Sequence, residues 1–367
     1  MNPTAAGFLY LLAAVLFIVG LKRLSSPATA KDGNRIAALG MLVAIVVTLL
    51  DEEVVSYWIV IAGIVVGGTI GALLAQRVEM TSMPQLVAAF NGFGGGASAF
   101  VAIAELSRGG DDLATRTLVT IALSVLIGSI TLSGSLVAFG KLQDLISGRP
   151  VVLPGQLVVD LTLVAGGVTA AVLVAVTGAT PWAWALLGAA AALGITRTLP
   201  IGGADMPVVI SFLNSLSGLA AAATGFVIDS NALIISGALV GASGLILTNI
   251  MVKAMNRTLA NVLFSAFGGE VAGGGDADHG KVARRATAED VAITLAYAQR
   301  VIVIPGYGLA VAQAQHVARE LADLLQERNV DVRYAIHPVA GRMPGHMNVL
   351  LAEADVPYDQ LHDLEDI

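Results

Sequence analysis

The run Thr117–Gly140, TLVTIALSVLIGSITLSGSLVAFG, decides the fold class because its 24 residues include no Asp, Glu, Lys or Arg. At about 1.5 Å of helical rise per residue, such a run crosses the roughly 30 Å hydrocarbon core of a bilayer. The whole chain shares this character, since 56% of its 367 residues are hydrophobic and only 13% are charged. These values lie outside the range of soluble proteins. The 41 glycines and 5% aromatic residues favour closely packed helices over a membrane β-barrel.

Other uncharged runs of similar length predict further membrane-spanning helices. They lie at Met1–Leu21, Ser56–Gln76, Met80–Ala104, Met206–Ile228 and Ser230–Val252. The run Ile36–Leu50 is short, but Asp51 can lie at the interface, so it is counted as a span. The stretch Leu161–Thr196 is too long for one helix and is broken near Pro181, so it predicts two. The total is about nine spans in an all-α polytopic membrane helix bundle that occupies residues 1–255.

Basic residues near the span ends predict the orientation of the chain. Ten lie on one side, in alternate loops and after the last span, and they are Lys22, Arg23, Lys31, Arg35, Arg77, Lys141, Arg149, Arg197, Lys253 and Arg257. Only Arg108 and Arg116 lie on the other side. The N-terminus is therefore predicted outside and the C-terminal region in the cytoplasm. A cleaved signal peptide is disfavoured, because no Lys or Arg precedes the first apolar run.

Glycines spaced four residues apart predict where helices pack, because helices in lipid associate by close backbone approach. Gly63, Gly67 and Gly71 follow this spacing in the third span, and Gly237 and Gly241 follow it in the ninth. Each set predicts a packing seam.

Polar side chains at membrane depth need a partner or water, because lipid offers neither. Asn91 lies in the fourth span and Asn214 in the eighth. An amide has more donors and acceptors than its own helix satisfies, so a role in a hydrated pathway and a structural role both stay open for these two. Serines such as Ser135 more often bond back to their own helix. Asp205 stands at the cytoplasmic end of the eighth span.

Charge and residue usage exclude several classes of function. Residues 1–260 contain 12 basic and 12 acidic side chains, so the net charge of −7 belongs to residues 261–367. Neither part has the clustered basic surface that nucleic acid binding requires. The absence of cysteine excludes disulfides and thiolate metal sites, and no metal site is predicted. All five histidines follow the last span, so a proton path through the spans must use carboxylates, amides, hydroxyls and water.

The remaining residues predict a linker at 256–288 and a partial Rossmann-like α/β domain at 289–367. A strand at Val301–Ile304 is followed by the turn Pro305-Gly306-Tyr307-Gly308, an amphipathic helix to about Arg328 and a second strand at Val332–Ile336. Two glycines between a strand and a helix are typical of a dinucleotide pyrophosphate site. The third glycine position is Val311, so this fingerprint is incomplete.

The second predicted strand lacks the acidic residue that would bind a ribose 2′-hydroxyl. His337 and Arg342 follow it instead, and they are more compatible with the 2′-phosphate of NADP or with phosphate generally. The alternative for His337-Pro338 is a turn that ends the strand.

Long motifs in both parts resemble the beta subunit of proton-translocating NAD(P) transhydrogenase. They are Gly134–Lys141, Ile201–Val209 with Asn214-Ser215, Lys253–Arg257, Pro305–Gln315 and His337–Leu351. The resemblance implies an enzyme in which an alpha subunit binds NAD(H), this chain binds NADP(H), and direct hydride transfer between the two is coupled to proton translocation. It also implies a dimer of alpha-beta units, surrounded by lipid, in the bacterial inner (plasma) membrane.

The resemblance assigns roles by motif position. Gly306, Tyr307, Gly308, Ala310 and Val311 would hold NADP(H), together with Arg342. Asp205 would couple the membrane part to the NADP(H) domain, and Asn91, Ser135 and Asn214 would lie along the proton path. No side chain acts as a catalytic nucleophile, because the cofactors carry the chemistry.

Two departures from the family pattern affect these expectations. Family members place a histidine in the fourth span where this chain has Asn91, which cannot accept and release a proton near neutral pH. Either the proton carrier lies elsewhere, for instance on the alpha subunit, or Asn91 only orders water. The family's NADP(H) domain is also a complete doubly wound sheet, so residues 289–367 are expected to be its first half, truncated, poorly packed and inactive alone.

Two other functions remain open on the sequence. A secondary transporter or channel with a nucleotide-sensing cytoplasmic domain would have the same composition. A purely structural membrane subunit is the third hypothesis. Hydride exchange between NADPH and an NAD analogue would separate the enzyme from both.

Overall fold

The computed structural model describes residues 3–24, 26–50, 57–78, 82–109, 113–255, 257–264, 286–341, 345–363 and 366–367. The chain divides into two compact units, Met1–Ile250 and Met251–Ile367. The first unit contains most of the predicted membrane part, and the second contains the predicted α/β domain.

Nine long helices come first in the described part of the chain. They are α1 (Pro3–Leu24), α2 (Pro27–Leu50), α3 (Tyr57–Arg77), α4 (Met83–Gly109), α5 (Thr115–Leu142), α6 (Gln156–Thr177), α7 (Thr180–Thr198), α8 (Met206–Val227) and α9 (Asn231–Ala254). Eight of them are long and apolar enough to cross a membrane. The exception, α7, has 19 residues and includes Pro181 and Arg197. The chain is therefore a membrane protein, and the count of nine spans stays a prediction.

Helix α5 lies at the centre of the first unit and packs against α4, α6, α7 and α8. Its buried residues Ile121 and Val125 join Leu106, Val174 and Leu186 in one apolar cluster. Because van der Waals packing is the main attraction between helices in lipid, this cluster holds the helices around α5 together.

The two glycine seams predicted from the sequence differ in the structure. A Cβ on Gly218 of α8 would collide with the backbone of Gly241 of α9, and one on Gly237 would collide with Ala222. The predicted seam in the ninth span is thus confirmed. The seam predicted along α3 is not found, because nothing among the described residues lies within 4 Å of a Cβ at Gly63, Gly67 or Gly71.

The second unit contains a three-stranded parallel sheet in the order β1-β2-β3. Its elements are α10 (Leu259–Phe264), α11 (Ala288–Ala296), β1 (Arg300–Val303), α12 (Tyr307–Val311), α13 (Gln315–Gln326), β2 (Asp331–Ile336), α14 (His346–Glu353) and β3 (Leu361–Asp363). Both predicted strands are present within one residue of their expected starts. Within the predicted linker, Leu259–Phe264 is helical and residues 265–285 lie outside the described part.

The prediction of one continuous helix after the glycine turn is wrong. Helix α12 ends at Val311, and Gln313 has a φ of 49°, so α13 begins as a separate helix at Gln315. No glycine or proline marks this break. Its cause is the left-handed backbone of Gln313, a conformation that few non-glycine residues adopt.

The sheet packs more completely than expected. Tyr334 of β2 is fully buried, as are Met347 and Leu351 of α14, and the Tyr334 hydroxyl donates to the carbonyl of Ala318 in α13. Residues 286–341 and 345–363 therefore enclose a small core, contrary to the expectation of poor packing. One edge strand is β1, on which Ile302 remains exposed.

Candidate functional site

Three helices meet at Asn91 in the first unit. The Asn91 amide nitrogen Nδ2 donates to Ser135 Oγ at 2.9 Å, which joins α4 to α5. Glycine brings the helices to this distance, since a Cβ on Gly92 would lie 3.1 Å from the Ser135 side chain. From α8, Ser217 Oγ donates to the backbone carbonyl of Asn91 at 3.2 Å. We call Asn91, Ser135 and Ser217 the polar node.

Asn214 lies on α8 three residues before Ser217, so it is on the same side of that helix. Its side chain is exposed, and it has no hydrogen-bond partner among the described residues. An amide at membrane depth without a partner needs water or another chain. The structure thus places three of the predicted pathway residues near one another, with Asn214 at the exposed margin of the polar node.

A second group of hydroxyls lies further along the same three helices. Ser124 Oγ is 2.7 Å from Thr224 Oγ1, and it donates to the carbonyl of Ser98 at 3.1 Å. Ser124 precedes Ser135 by 11 residues, or about 16 Å of helix. Between the two groups, a Cβ on Gly95 would come within 2.9 Å of the Gly128 carbonyl. The interface of α4 and α5 is therefore closed to water there.

Asp205 lies apart from the polar node. It ends the 3₁₀ turn Gly203–Asp205 and is the N-cap residue of α8, although its carboxylate forms no side-chain cap. Nine residues separate it from Asn214, which corresponds to about 14 Å along the helix. Helix α8 thus connects Asp205 at its N-terminus to Asn214 and to Ser217 of the polar node.

The predicted dinucleotide turn has the expected strand-turn-helix geometry in the second unit. Gly306 is the N-cap of α12, with extended backbone at φ −117°. None of the described residues lies within 4 Å of a Cβ at Gly306 or Gly308, so among them the backbone is open to a ligand at both positions. Ala310 is fully buried beneath the turn, and Val311 is 59% exposed. Because α12 has only five residues, it offers a ligand the backbone N–H groups of the turn more than a helix dipole.

The loop that follows β2 approaches the dinucleotide turn. His346 is fully buried at the start of α14, and its ring lies 6.0 Å from that of Tyr307. Gly341, with φ of +101°, packs so closely on His346 that a side chain there would collide with it. Both loops follow parallel strands at their carboxyl ends, where open α/β sheets bind ligands. The predicted contact Arg342 lies outside the described residues.

Two features of the first unit were missed from the sequence. The Ser217 hydroxyl bonds to the backbone carbonyl of Asn91, 126 residues away in sequence, whereas a serine in a span ordinarily bonds to its own helix. Lys141 is buried among backbone carbonyls, which no sequence pattern signals. Among the described residues, no group of three His, Cys, Asp or Glu is placed to hold a metal ion.

Comparison with known proteins gives a consistent result. The family model described as NAD(P) transhydrogenase beta subunit matches residues 6–367. Two sequences of NAD(P) transhydrogenase subunit beta from Rhodospirillum rubrum are each 50% identical to the chain over 368 aligned positions. The alignment covers 98% of this chain and 79% of each relative.

Proposed function

The chain belongs to the NAD(P) transhydrogenase beta subunit family, and from this premise we propose how its residues divide the work of the enzyme. The enzyme is a membrane oxidoreductase that couples hydride transfer between NAD(H) and NADP(H) to proton translocation. As a beta subunit, the chain works with an alpha subunit.

NADP(H) is the cofactor assigned to this chain, and NAD(H) is assigned to the alpha subunit. The open backbone at Gly306 and Gly308 supports the assignment, because a pyrophosphate needs close approach to main-chain N–H groups. Tyr307, Ala310, Val311 and Arg342 complete the proposed contacts. When bound, NADP(H) supplies the hydride chemistry, and the protein orients the cofactor and excludes water. A Rossmann-like α/β arrangement of residues 289–367 is the proposed fold of this part.

Labelling with photoreactive cofactors tests the assignment in the alpha-beta complex. A photoreactive NADP analogue is expected to label this chain, and an NAD analogue is expected to label the alpha subunit. Gly306→Val should prevent labelling of this chain by the NADP analogue, because the valine side chain would occupy the open space above the turn. Labelling of the alpha subunit by the NAD analogue should be unchanged. Labelling of the alpha subunit by the NADP analogue would overturn the assignment.

The polar node is the proposed site where water is ordered on the proton path. The contact that carries this proposal is the 2.9 Å hydrogen bond from Asn91 to Ser135, with Ser217 attached from α8. Neither an amide nor a hydroxyl gains a proton near neutral pH, so these groups orient water and do not carry charge. Because α4 and α5 are in contact at Gly95 and Gly128, water is proposed to pass along the exposed side, at Asn214.

Asp205 is the proposed coupling residue. A carboxylate can change charge with proton occupancy, which the polar node cannot do. Its position as the N-cap residue of α8 supports the role, because α8 also contains Asn214 and Ser217. We propose that proton occupancy sets the charge of Asp205, and that this charge reports the occupancy to the NADP(H) domain.

The proposed membrane domain is residues 1–255, and the proposed linker is 256–288. We place the chain in the bacterial inner membrane with the N-terminus outside and the C-terminus in the cytoplasm, on the distribution of Lys and Arg. A dimer of alpha-beta units is the proposed assembly.

Cysteine labelling tests the orientation. Because the chain has no cysteine, single cysteines introduced at Ser147 and Thr177 can be labelled selectively. An impermeant reagent should reach the first only from the cytoplasm and the second only from outside, and the reverse pattern would overturn the orientation.

A further inference from the structure

Lys141 is a buried charge at the end of α5 that the proposed mechanism does not use. Its side chain is 3% exposed, and its ammonium donates to three backbone carbonyls. These belong to Arg149 at 3.3 Å, Leu199 at 2.5 Å and Ile201 at 2.7 Å. A lysine ammonium has three N–H donors, so the three carbonyls account for all of them. The charge is therefore satisfied by main-chain oxygen alone.

The three carbonyls come from two different loops. Arg149 lies between α5 and α6, while Leu199 and Ile201 lie between α7 and α8. The loops are joined further by backbone bonds from Val151 N to Leu199 O and from Gly203 N to Gly148 O. Removal of the ammonium would take the described donor from the carbonyls of Arg149 and Ile201, while Leu199 would keep its bond from Val151, and polar groups that lose their partners are costly when buried. Lys141 thus connects both loops to the end of α5.

Side chains of α6 also form hydrogen bonds with the last turn of α7. Thr196 Oγ1 donates to Asp160 Oδ1 at 2.5 Å, and Gln156 Nε2 donates to the Thr196 carbonyl at 2.6 Å. Asp160 is fully buried, and Arg197 lies 3.5 Å from it. The chain is therefore anchored from Thr196 to Ile201 by side chains of two neighbouring helices.

Two glycines follow this anchored segment. A Cβ on Gly202 would meet only Pro150, at 3.8 Å, and one on Gly203 would meet the Gly148 carbonyl at 3.5 Å. These are ordinary contact distances, so the glycines are not required by close packing. Met206, at the start of α8, is fully buried. Gly203 is held by the bond from its backbone N–H to the Gly148 carbonyl, so these two glycines continue the anchored segment into the 3₁₀ turn that ends at Asp205.

We propose that Lys141 is a positioning residue for Asp205: it fixes the chain at Ile201, and the position of Ile201 sets where the 3₁₀ turn Gly203–Asp205 places the carboxylate. The inference rests on the proposed coupling role of Asp205. A compact ammonium with rotatable donors suits three converging carbonyls, whereas the planar guanidinium fork of arginine does not. The same charge in arginine should therefore hold the loops together but hold Ile201 less accurately.

The test uses the full alpha-beta complex in sealed vesicles, with Lys141→Met, Lys141→Arg and the control Lys31→Met. Lys31 is an exposed lysine of α2, so its loss removes one cation without disturbing the carbonyls of the two loops. The readouts are NADPH affinity, the proton-coupled hydride transfer rate and the pH profile of that rate. A merely structural lysine would lower the amount of complex without changing the profile.

We expect Lys141→Met to lower the coupled rate per complex about tenfold or more, because small displacements of a functional group cost that much. Its pH profile should shift, and NADPH affinity should stay within about twofold, a change equivalent to less than half a kcal/mol. Lys141→Arg should fall between Lys141→Met and wild type, and Lys31→Met should match wild type. A wild-type rate and profile in Lys141→Met would overturn the inference.

Two further outcomes separate this inference from the proposed function. If Lys141→Met does not accumulate in membranes, the coupled rate of Lys141→Arg tests the positioning role instead. A wild-type coupled rate in Lys141→Arg would contradict that role. Failure of both variants to accumulate would make Lys141 a folding residue and would likewise overturn it. Asp205→Asn is measured in parallel. Wild-type coupling in Asp205→Asn refutes the role of Asp205, whereas its loss together with normal coupling in Lys141→Met refutes only the inference about Lys141.

Discussion

The amide of Asn91 donates to the hydroxyl of Ser135 across the interface of α4 and α5, at 2.9 Å and 44 residues apart in sequence. This bond joins two residues that the family resemblance places on the proton path, and Ser217 attaches a third helix to it. Since an amide and a hydroxyl can only order water, a group that changes charge is needed elsewhere. Asp205, at the start of α8, supplies one in our account.

Removal of the Ser135 hydroxyl tests the polar node. Ser135→Ala leaves the Asn91 amide without its acceptor, so we expect the proton-coupled rate to fall about tenfold while NADPH binding stays normal. Proton uptake and hydride transfer in sealed vesicles measure this. The matched control is Ser243→Ala on α9, whose exposed hydroxyl donates only to its own helix at Val240. Equal effects of the two substitutions would contradict a special role for the node.

Substitution of Asn91 by histidine introduces a titratable group into the node. An imidazole changes charge near pH 6.5, so we expect Asn91→His to add an inflection near that pH to the profile of the coupled rate. Asn91→Leu, which can neither titrate nor bind water, should instead lower the rate about tenfold across the pH range. An unchanged profile in Asn91→His would mean that position 91 does not face the proton path.

Substitution of Gly308 tests cofactor binding separately from folding. It lies inside α12 with open space around it, so Gly308→Ala should preserve or raise the free energy of unfolding, by up to about 1 kcal/mol. The added methyl group would hinder approach of the pyrophosphate, and we expect NADPH affinity to fall about tenfold. Thermal unfolding and calorimetric titration measure the two effects. Gly7→Ala in α1, also open at its Cβ position, is the control. Retained affinity in Gly308→Ala would remove this turn from the cofactor site.

Asp331 should make the sheet sensitive to acid. Hydrogen bonds from Arg300 and Arg333 hold the pKa of the Asp331 carboxyl below its usual value. A depressed pKa in the folded state adds stability that is complete above the unfolded pKa and is lost as pH falls through the folded pKa. Asp331→Asn should therefore increase proteolysis of the sheet at pH 7, and its difference from wild type should become smaller as the pH is lowered toward 3. Asp359→Asn, which removes no ion pair with the described residues, should have no effect at either pH, and equal effects of the two changes would contradict the argument.

The sequence predicts the helices well because membrane spans require long uncharged runs, which are visible directly. It also predicts β1, the turn at Gly306 and β2, since an apolar run followed by glycines is a strong local signal. The break at Gln313 has no such signal, because glutamine rarely adopts the left-handed backbone found there. The short helix α14 and strand β3 were not predicted either.

Candidate site residues were predicted less evenly than the fold. Asn91 and Asn214 were identified because amides are costly in lipid, whereas the part played by Ser217 depends on a contact with a distant helix. Lys141 was counted only as a positive charge that sets orientation. Its three carbonyl partners come from loops up to 60 residues away, so only the structure reveals its contacts.

The central claim is that the charge of Asp205 links proton movement to hydride transfer. The most direct measurement records proton uptake and hydride transfer together in sealed vesicles that contain the alpha-beta complex, with wild-type chain and Asp205→Asn. We predict that wild type moves protons with each hydride, and that Asp205→Asn still binds NADPH but loses proton-coupled turnover about a hundredfold. Coupled rates in Asp205→Asn equal to those of wild type would contradict the account.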